Sequence, residues 1–200
     1  EDNIIGEFFS AGVRLDGATG TVQNNQFGDT VFGVGIQQHG GDVDAVFNTI
    51  SDTAVGIEYG AGARGTIADN TLVTTSTVSA KHTGILVTDG AEVSVQDNDI
   101  SGLEDTGINV LGGSVATIEG NTIASDGFGI KVADSSATVL DNDVTGPGSK
   151  SAFGDGVAYF GAAGAIGRSI AAALRSEGRA YRVVGRNREQ LENTFGSDSG

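Results

Sequence analysis

Residues 93–123, VSVQDNDISGLEDTGINVLGGSVATIEGNTI, contain one structural unit and the start of the next. Asn98 and Asn121 stand 23 residues apart, each followed two positions later by isoleucine (Ile100, Ile123), and Gly107 introduces Ile108 and Val110 between them. Read outward from there, the asparagines form a series, Asn25, Asn48, Asn70, Asn98, Asn121 and Asn142, with gaps of 23, 22, 28, 23 and 21 residues. The residues two positions after them are all apolar: Phe27, Ile50, Leu72, Ile100, Ile123 and Val144. A second mark, glycine followed by valine or isoleucine, recurs at Gly12, Gly33, Gly56, Gly84, Gly107, Gly129 and Gly156. Self-similarity at a period of roughly 20 to 50 residues is the signature of a solenoid.

Apolar alternation gives each repeat two short strands. The first carries the pairs Val13/Leu15, Val34/Ile36, Ile57/Tyr59, Ile85/Val87, Ile108/Val110 and Ile130/Val132. The second runs through Val22, Val46, Ile67, Val95, Ile118 and Val139 and continues past the asparagine to the next apolar residue. Strands this short cannot bury an apolar face alone, so coils must stack to close a common core. At a tight bend an asparagine amide both donates and accepts along the stack, each bond contributing roughly 0.5 to 1.5 kcal/mol net. The glycines suit either a positive φ or a close backbone approach. The single proline of the chain fits strands whose ladders need every donor.

This pattern resembles the right-handed parallel β-helix of pectate lyases and their relatives, which include glycoside hydrolases, epimerases and bacterial surface proteins. The resemblance covers residues 1–155 and implies a mainly β fold, a right-handed parallel β-helix of about seven coils. It carries no particular activity, because the repeat is structural and one fold hosts many functions. It implies an extracellular or cell-surface protein that binds or processes polysaccharide, with a structural or adhesive scaffold as the alternative.

Composition divides the chain. Residues 1–155 hold 22 Asp and Glu against five Lys and Arg, a net −17, while residues 156–200 hold four acids against six arginines, a net +2. Together with the loss of the repeat, this step places a boundary near Asp155. The overall charge of −15 excludes broad electrostatic affinity for nucleic acid, and no apolar stretch is long enough to cross a membrane as a helix. There is no cysteine, hence no disulfide and no thiolate metal site. The opening Glu1 and Asp2 read as those of a mature product or a fragment.

From each asparagine to the next marked glycine is eight or nine residues in four repeats but 14 between Asn70 and Gly84 and between Asn142 and Gly156. Both insertions fall at the same corner, three coils and so about 14 Å apart, enough to wall a groove. The floor would carry Glu104, Asp105 and Asp126 as candidate catalytic carboxylates, and the walls Lys81, His82 and Lys150 as substrate-binding residues. Carboxylates on adjacent coils stand about 5 Å apart, which suits a retaining glycosidase pair or a Ca²⁺ site. The same acids also read as solvated corners of an acidic domain. The Asp-Asn-Asp triplets at 97–99 and 141–143 resemble calcium ligands of the kind a β-elimination lyase uses, and they equally fit turn chemistry. The outward column of the first strand is mixed, Arg14, Gly35, Glu58, Leu86, Asn109 and Lys131. His39, in Gln-His-Gly-Gly, is similar to a polygalacturonase segment without the Asp pair and basic motif found there, and reads as a surface turn histidine.

Residues 156–200 follow another pattern. Val157 to Phe160 reads as a strand, Gly161, Gly164 and Gly167 as a glycine-spaced turn, Arg168 to Glu177 as a helix stopped by Gly178, and Tyr181 to Arg186 as a second strand. This short α/β, Rossmann-like βαβ segment resembles the first unit of extended and atypical short-chain dehydrogenase/reductases. That resemblance implies NADP as cofactor: Gly161, Gly164 and Gly167 would admit the pyrophosphate to the helix N-terminus, and Arg186 and Arg188 would meet the 2′-phosphate. It covers residues 157–196, lacks a Tyr-x-x-x-Lys pair, and implies a cytoplasmic setting, at odds with the β-helix. Two other readings stand beside it: a helical cap on the solenoid, with Val157 and Tyr159 in the first strand of a seventh coil, and a junction between two unrelated genes.

Overall fold

The computed structural model describes residues 2–28, 32–75 and 82–146, and the backbone of the strand Val157–Phe160. Lys81, Lys150, Gly161, Gly164, Gly167, Arg186 and Arg188 lie outside the described residues, as do the helix and second strand expected after residue 160.

The chain forms three parallel sheets. Sheet A contains β1 (Ile4–Gly6), β4 (Gln26–Gly28), β7 (Thr49–Ser51), β10 (Thr71–Val73), β13 (Asp99–Leu103), β16 (Thr122–Ser125) and β19 (Asp143–Thr145). Sheet B contains β2 (Ala11–Asp16), β5 (Val34–His39), β8 (Val55–Gly60), β11 (Thr83–Val87), β14 (Thr106–Val110), β17 (Phe128–Ala133) and β20 (Val157–Phe160). Sheet C contains β3 (Thr19–Gln23), β6 (Asp42–Val46), β9 (Arg64–Ala68), β12 (Glu92–Gln96), β15 (Val115–Glu119) and β18 (Ser136–Leu140). Each coil visits B, C and A in turn, so every strand pairs with its counterpart one coil away. The result is a mainly β parallel solenoid of six complete coils, with β1 before them and β20 opening a seventh. Ile130 pairs with Val157 and Val132 with Tyr159, so the strand shared by two sequence readings belongs to the solenoid sheet.

Each coil has three strands where two were expected, and the reason is local. The residue before every ladder asparagine has positive φ: Asp2 (59°), Asn24 (55°), Phe47 (57°), Asp69 (55°), Asp97 (52°), Gly120 (69°) and Asp141 (50°). This left-handed residue turns the chain between sheets C and A, so the second strand breaks at the asparagine instead of running through it. Asp, Asn and Gly tolerate that conformation, which accounts for the acid before Asn98 and before Asn142 without a cation.

The core is a set of columns. Ile36, Ile57, Ile85, Ile108 and Ile130 are fully buried from sheet B, Ile67, Val95 and Ile118 from sheet C, and Ile100 and Ile123 from sheet A, with Ile50 almost so. Full burial of such side chains contributes roughly 1.5 to 3 kcal/mol each.

The second coil corrects the sequence alignment twice. Val13 pairs with Ile36, and Ile36 with Ile57, so Ile36 and Gln38, not Val34 and Ile36, fill the inward positions. The repeat glycine of that coil is therefore Gly35, and Gly33 belongs to the corner before it. Likewise Ala45 pairs with Val22 and Ile67, whereas Val46 sits one position further on and is half-buried. A one-residue slip exchanges faces, and the constant spacing of three residues to the asparagine selects Ala45 over the more apolar valine.

The glycine column exists for close approach. A Cβ at Gly56 would lie 2.3 Å from Leu72 Cδ2 and 2.6 Å from Gly84 O, and one at Gly107 2.5 Å from both Ile123 Cγ2 and Gly129 O. Phe27, Ile50, Leu72, Ile100 and Ile123 thus pack onto the glycine of the preceding sheet B strand, Gly12, Gly35, Gly56, Gly84 and Gly107 in turn. Those two repeating marks are halves of one contact.

Candidate functional site

Two corners flank sheet A. At the C–A corner the asparagines form a continuous ladder: Asn70 Nδ2 lies 3.0 Å from Asn98 Oδ1, 2.9 Å from Ala68 O and 2.8 Å from Ala45 O, while its Oδ1 accepts from the Asn48 backbone N–H (2.9 Å) and Nδ2 (3.0 Å). The same pattern runs from Asn25 to Asn142. It also includes Asn3, which donates from its amide to Asn25 Oδ1 at 2.9 Å. Sequence reading missed Asn3, although its 22-residue distance from Asn25 and Ile5 two positions on repeat the same signal. With every amide engaged, this corner is structural.

The A–B corner differs from coil to coil. Along sheet B the residues Ala11, Val34, Val55, Thr83, Thr106 and Phe128 pair in sequence. The described residues two positions before them, Phe9, Phe32, Thr53, Glu104 and Asp126, all lie in the connections of this corner, and the Asp126 N–H, which donates to Leu103 O at 2.7 Å, keeps Asp126 in register with Glu104. Phe9 and Phe32 are 88% and 70% exposed, Thr53 is buried, and Glu104 and Asp126 are exposed. Glu104 and Asp126 stand on adjacent coils, about 4.8 Å apart along the axis, as expected. Asp105 lies in the next column, half-buried, with its carbonyl accepting from Phe128 N–H at 2.8 Å. The chain between β10 and β11 and that between β19 and β20 are the longer connections at this corner, as the spacing of asparagine and glycine indicated.

His82, expected to wall the groove, is instead buried, and neither ring nitrogen has a hydrogen-bond partner among the described residues. Thr106 Oγ1, on the adjacent coil, is also buried with no partner among them. At the same corner a small open cavity is lined by Thr53, Thr74 and Thr83 over Ile50, Leu72 and Leu103.

A further group, on the outer face of sheet B, was not anticipated. Arg14, Gln37, Glu58, Leu86, Asn109 and Lys131 form the outward column, with Gln37 where the sequence alignment put Gly35. His39 Nε2 is 3.1 Å from Glu58 Oε1, which also accepts from Gln37 Nε2 at 3.1 Å, and His39 Nδ1 is 3.6 Å from Asp16 Oδ1. Arg14 Nε donates to Asp16 Oδ2 at 3.0 Å. The Arg14 hydrogen bond, and then its charge, hold the Asp16 carboxyl below its ordinary range, and the same bond raises Arg14. His39 is thus not an isolated turn residue. Nothing in the sequence around Gln38-His39 points to Asp16 or Glu58, since each lies on another coil.

Among the described residues no cluster of three or more His, Cys, Asp or Glu side chains is arranged to hold a metal ion, and no helix is long and apolar enough to cross a membrane.

Three parallel sheets, stacked coils and an internal asparagine ladder define a parallel β-solenoid. The model of the right handed beta helix region matches residues 11–167, and the chain belongs to that family. No curated protein and no solved structure matches it.

Proposed function

We propose that this β-helix binds polysaccharide along the A–B corner, in an extracellular or surface setting. The observation that supports this most directly is the column in which Glu104 and Asp126 stand exposed on adjacent coils, next to Asp105 and between the two longer connections. Exposed carboxylates accept from sugar hydroxyls, and an adjacent pair at about 5 Å has the separation used by retaining glycosidases. Array binding of labelled protein to polysaccharides tests the reading, with the Glu104→Ala/Asp126→Ala double variant as control. Retention of glycan by wild-type protein and its loss in the variant are expected. Equal binding by both would move the site elsewhere.

A scaffold without a ligand is the second reading. It is favoured by the turn geometry that accounts for Asp97 and Asp141, leaving the Asp-Asn-Asp triplets with no need of a cation. It predicts that wild-type protein retains no glycan.

A further inference from the structure

Six large apolar side chains are exposed among the described residues: Ile4, Phe9, Phe32, Phe47, Val115 and Leu140. Such residues scattered singly over a surface need no explanation. Phe9 and Phe32 are different, because each stands two residues before one of the paired strand positions Ala11 and Val34, at the same corner on neighbouring coils, and among the described residues they are the two phenylalanines most open to solvent. That corner also carries Glu104 and Asp126. Phe32 and Glu104 are three coils apart, about 14 Å along the axis, with the threonine-lined cavity between them.

Resting on the polysaccharide reading above, we infer that Phe9 and Phe32 are a stacking platform for pyranose rings, and that the ligand is an uncharged polysaccharide with equatorial hydroxyl groups. The chemistry is direct. A pyranose with equatorial hydroxyls presents axial C–H bonds on its ring faces, and these meet the negative π-face of an aromatic ring favourably. Hydroxyls at the rim of the same chain then reach acceptors further along, which Glu104 and Asp126 supply. Charge selects the class of polymer. Residues 1–155 carry a net −17, and the two acids lie in the proposed track, so a polyuronate would be repelled. The same charge opposes a second copy of the chain as occupant of the platform.

The test measures binding of the full chain to cellohexaose and to polygalacturonate, at low and moderate salt, for wild type, Phe9→Ala/Phe32→Ala, Phe9→Trp/Phe32→Trp and Glu104→Ala/Asp126→Ala. Thermal melts check folding, and sedimentation gives the oligomeric state. The platform requires wild type to prefer cellohexaose, the alanine pair to lose roughly tenfold in affinity with an unchanged melt, and the tryptophan pair to bind as well as wild type or better. If cellohexaose binding survives in the Phe pair variant but fails in the Glu104/Asp126 variant, the platform is wrong and the corner reading stands. A preference for polygalacturonate overturns the neutral ligand. Conversion of a dimer to a monomer by the phenylalanine substitutions assigns the patch to self-association instead. Absence of binding to any polysaccharide in wild type overturns the platform together with the function it rests on.

Discussion

The two corners that flank sheet A are made in opposite ways. At the C–A corner every coil repeats the same device, a left-handed residue followed by a buried asparagine whose amide joins the coils above and below. At the A–B corner, one strand away, the connections carry Phe9, Phe32, Thr53, Glu104 and Asp126 over the described coils, and connection length varies as well. Identity from coil to coil is needed where side chains bond along the axis, and it is not needed where they face solvent. Stability is therefore concentrated in the uniform corner and chemical individuality in the variable one.

Breaking the ladder in the middle gives the largest expected effect. Asn70→Ala removes the acceptor of the Asn48 N–H and amide and the donor to Ala45 O, leaving buried groups unpaired, and should cost about 3 kcal/mol or more. A denaturant titration measures this, and a cost below about 1 kcal/mol would mean that water replaces the rung. Gly56→Ala strikes the contact between the two repeating marks. Its Cβ meets the Gly84 carbonyl at 2.6 Å, which belongs to backbone fixed by the sheet, so a loss of about 1 to 3 kcal/mol is expected in the same titration.

A third variant examines the core between the corners. The Tyr59 hydroxyl donates to Val43 O at 2.7 Å, and burial, with Asp44 and Asp42 adding to it, pushes the phenol well above its ordinary value. A folded value raised above the unfolded one gives stability that is complete below the unfolded phenol value of about 10 and is lost as pH rises towards the folded value. Tyr59→Phe should cost about 1 kcal/mol at neutral pH and should weaken the alkaline loss of stability. An identical alkaline limb in both proteins would assign that loss to other groups.

The smallest effects sharpen the contrast. Phe47 is the one ladder-preceding residue that is neither Asp, Asn nor Gly, and it holds φ 57° while 57% exposed. Phe47→Gly should stabilise by about 1 kcal/mol, since the left-handed conformation costs an ordinary L-residue roughly 1 to 2 kcal/mol and glycine almost nothing, less its greater freedom when unfolded. Glu104→Ala, at the variable corner, should change stability by no more than about 0.5 kcal/mol in either direction. A large loss there would make that corner structural as well.

Much of this contrast was legible in the sequence. The asparagine period marked the solenoid, and the unequal distances from asparagine to glycine located the corner where connection length varies. Misreadings clustered in the second coil, where Gly33 and Gly35 both precede a β-branched residue and where Val46 looks more core-like than Ala45. Asn3 was missed because the series was begun one coil too late. His82 reads as part of a groove wall because it falls in the long interval between Asn70 and Gly84, whereas its backbone stacks between Ala54 and Asp105 and its ring is enclosed.

The sequence by itself determined the solenoid, its period and the chemistry of the repeated corner, because those depend on residues that recur at fixed spacing and bond to copies of themselves. Only the tertiary structure decided which unlike residues meet: His39 with Glu58 and Asp16, and Gln38 in place of an aliphatic residue beside Tyr59. Side chains some 20 residues apart become neighbours at about 4.8 Å once the stack sets its register. That register comes from the summed hydrogen bonding and burial of whole coils, and no single position along the chain carries it.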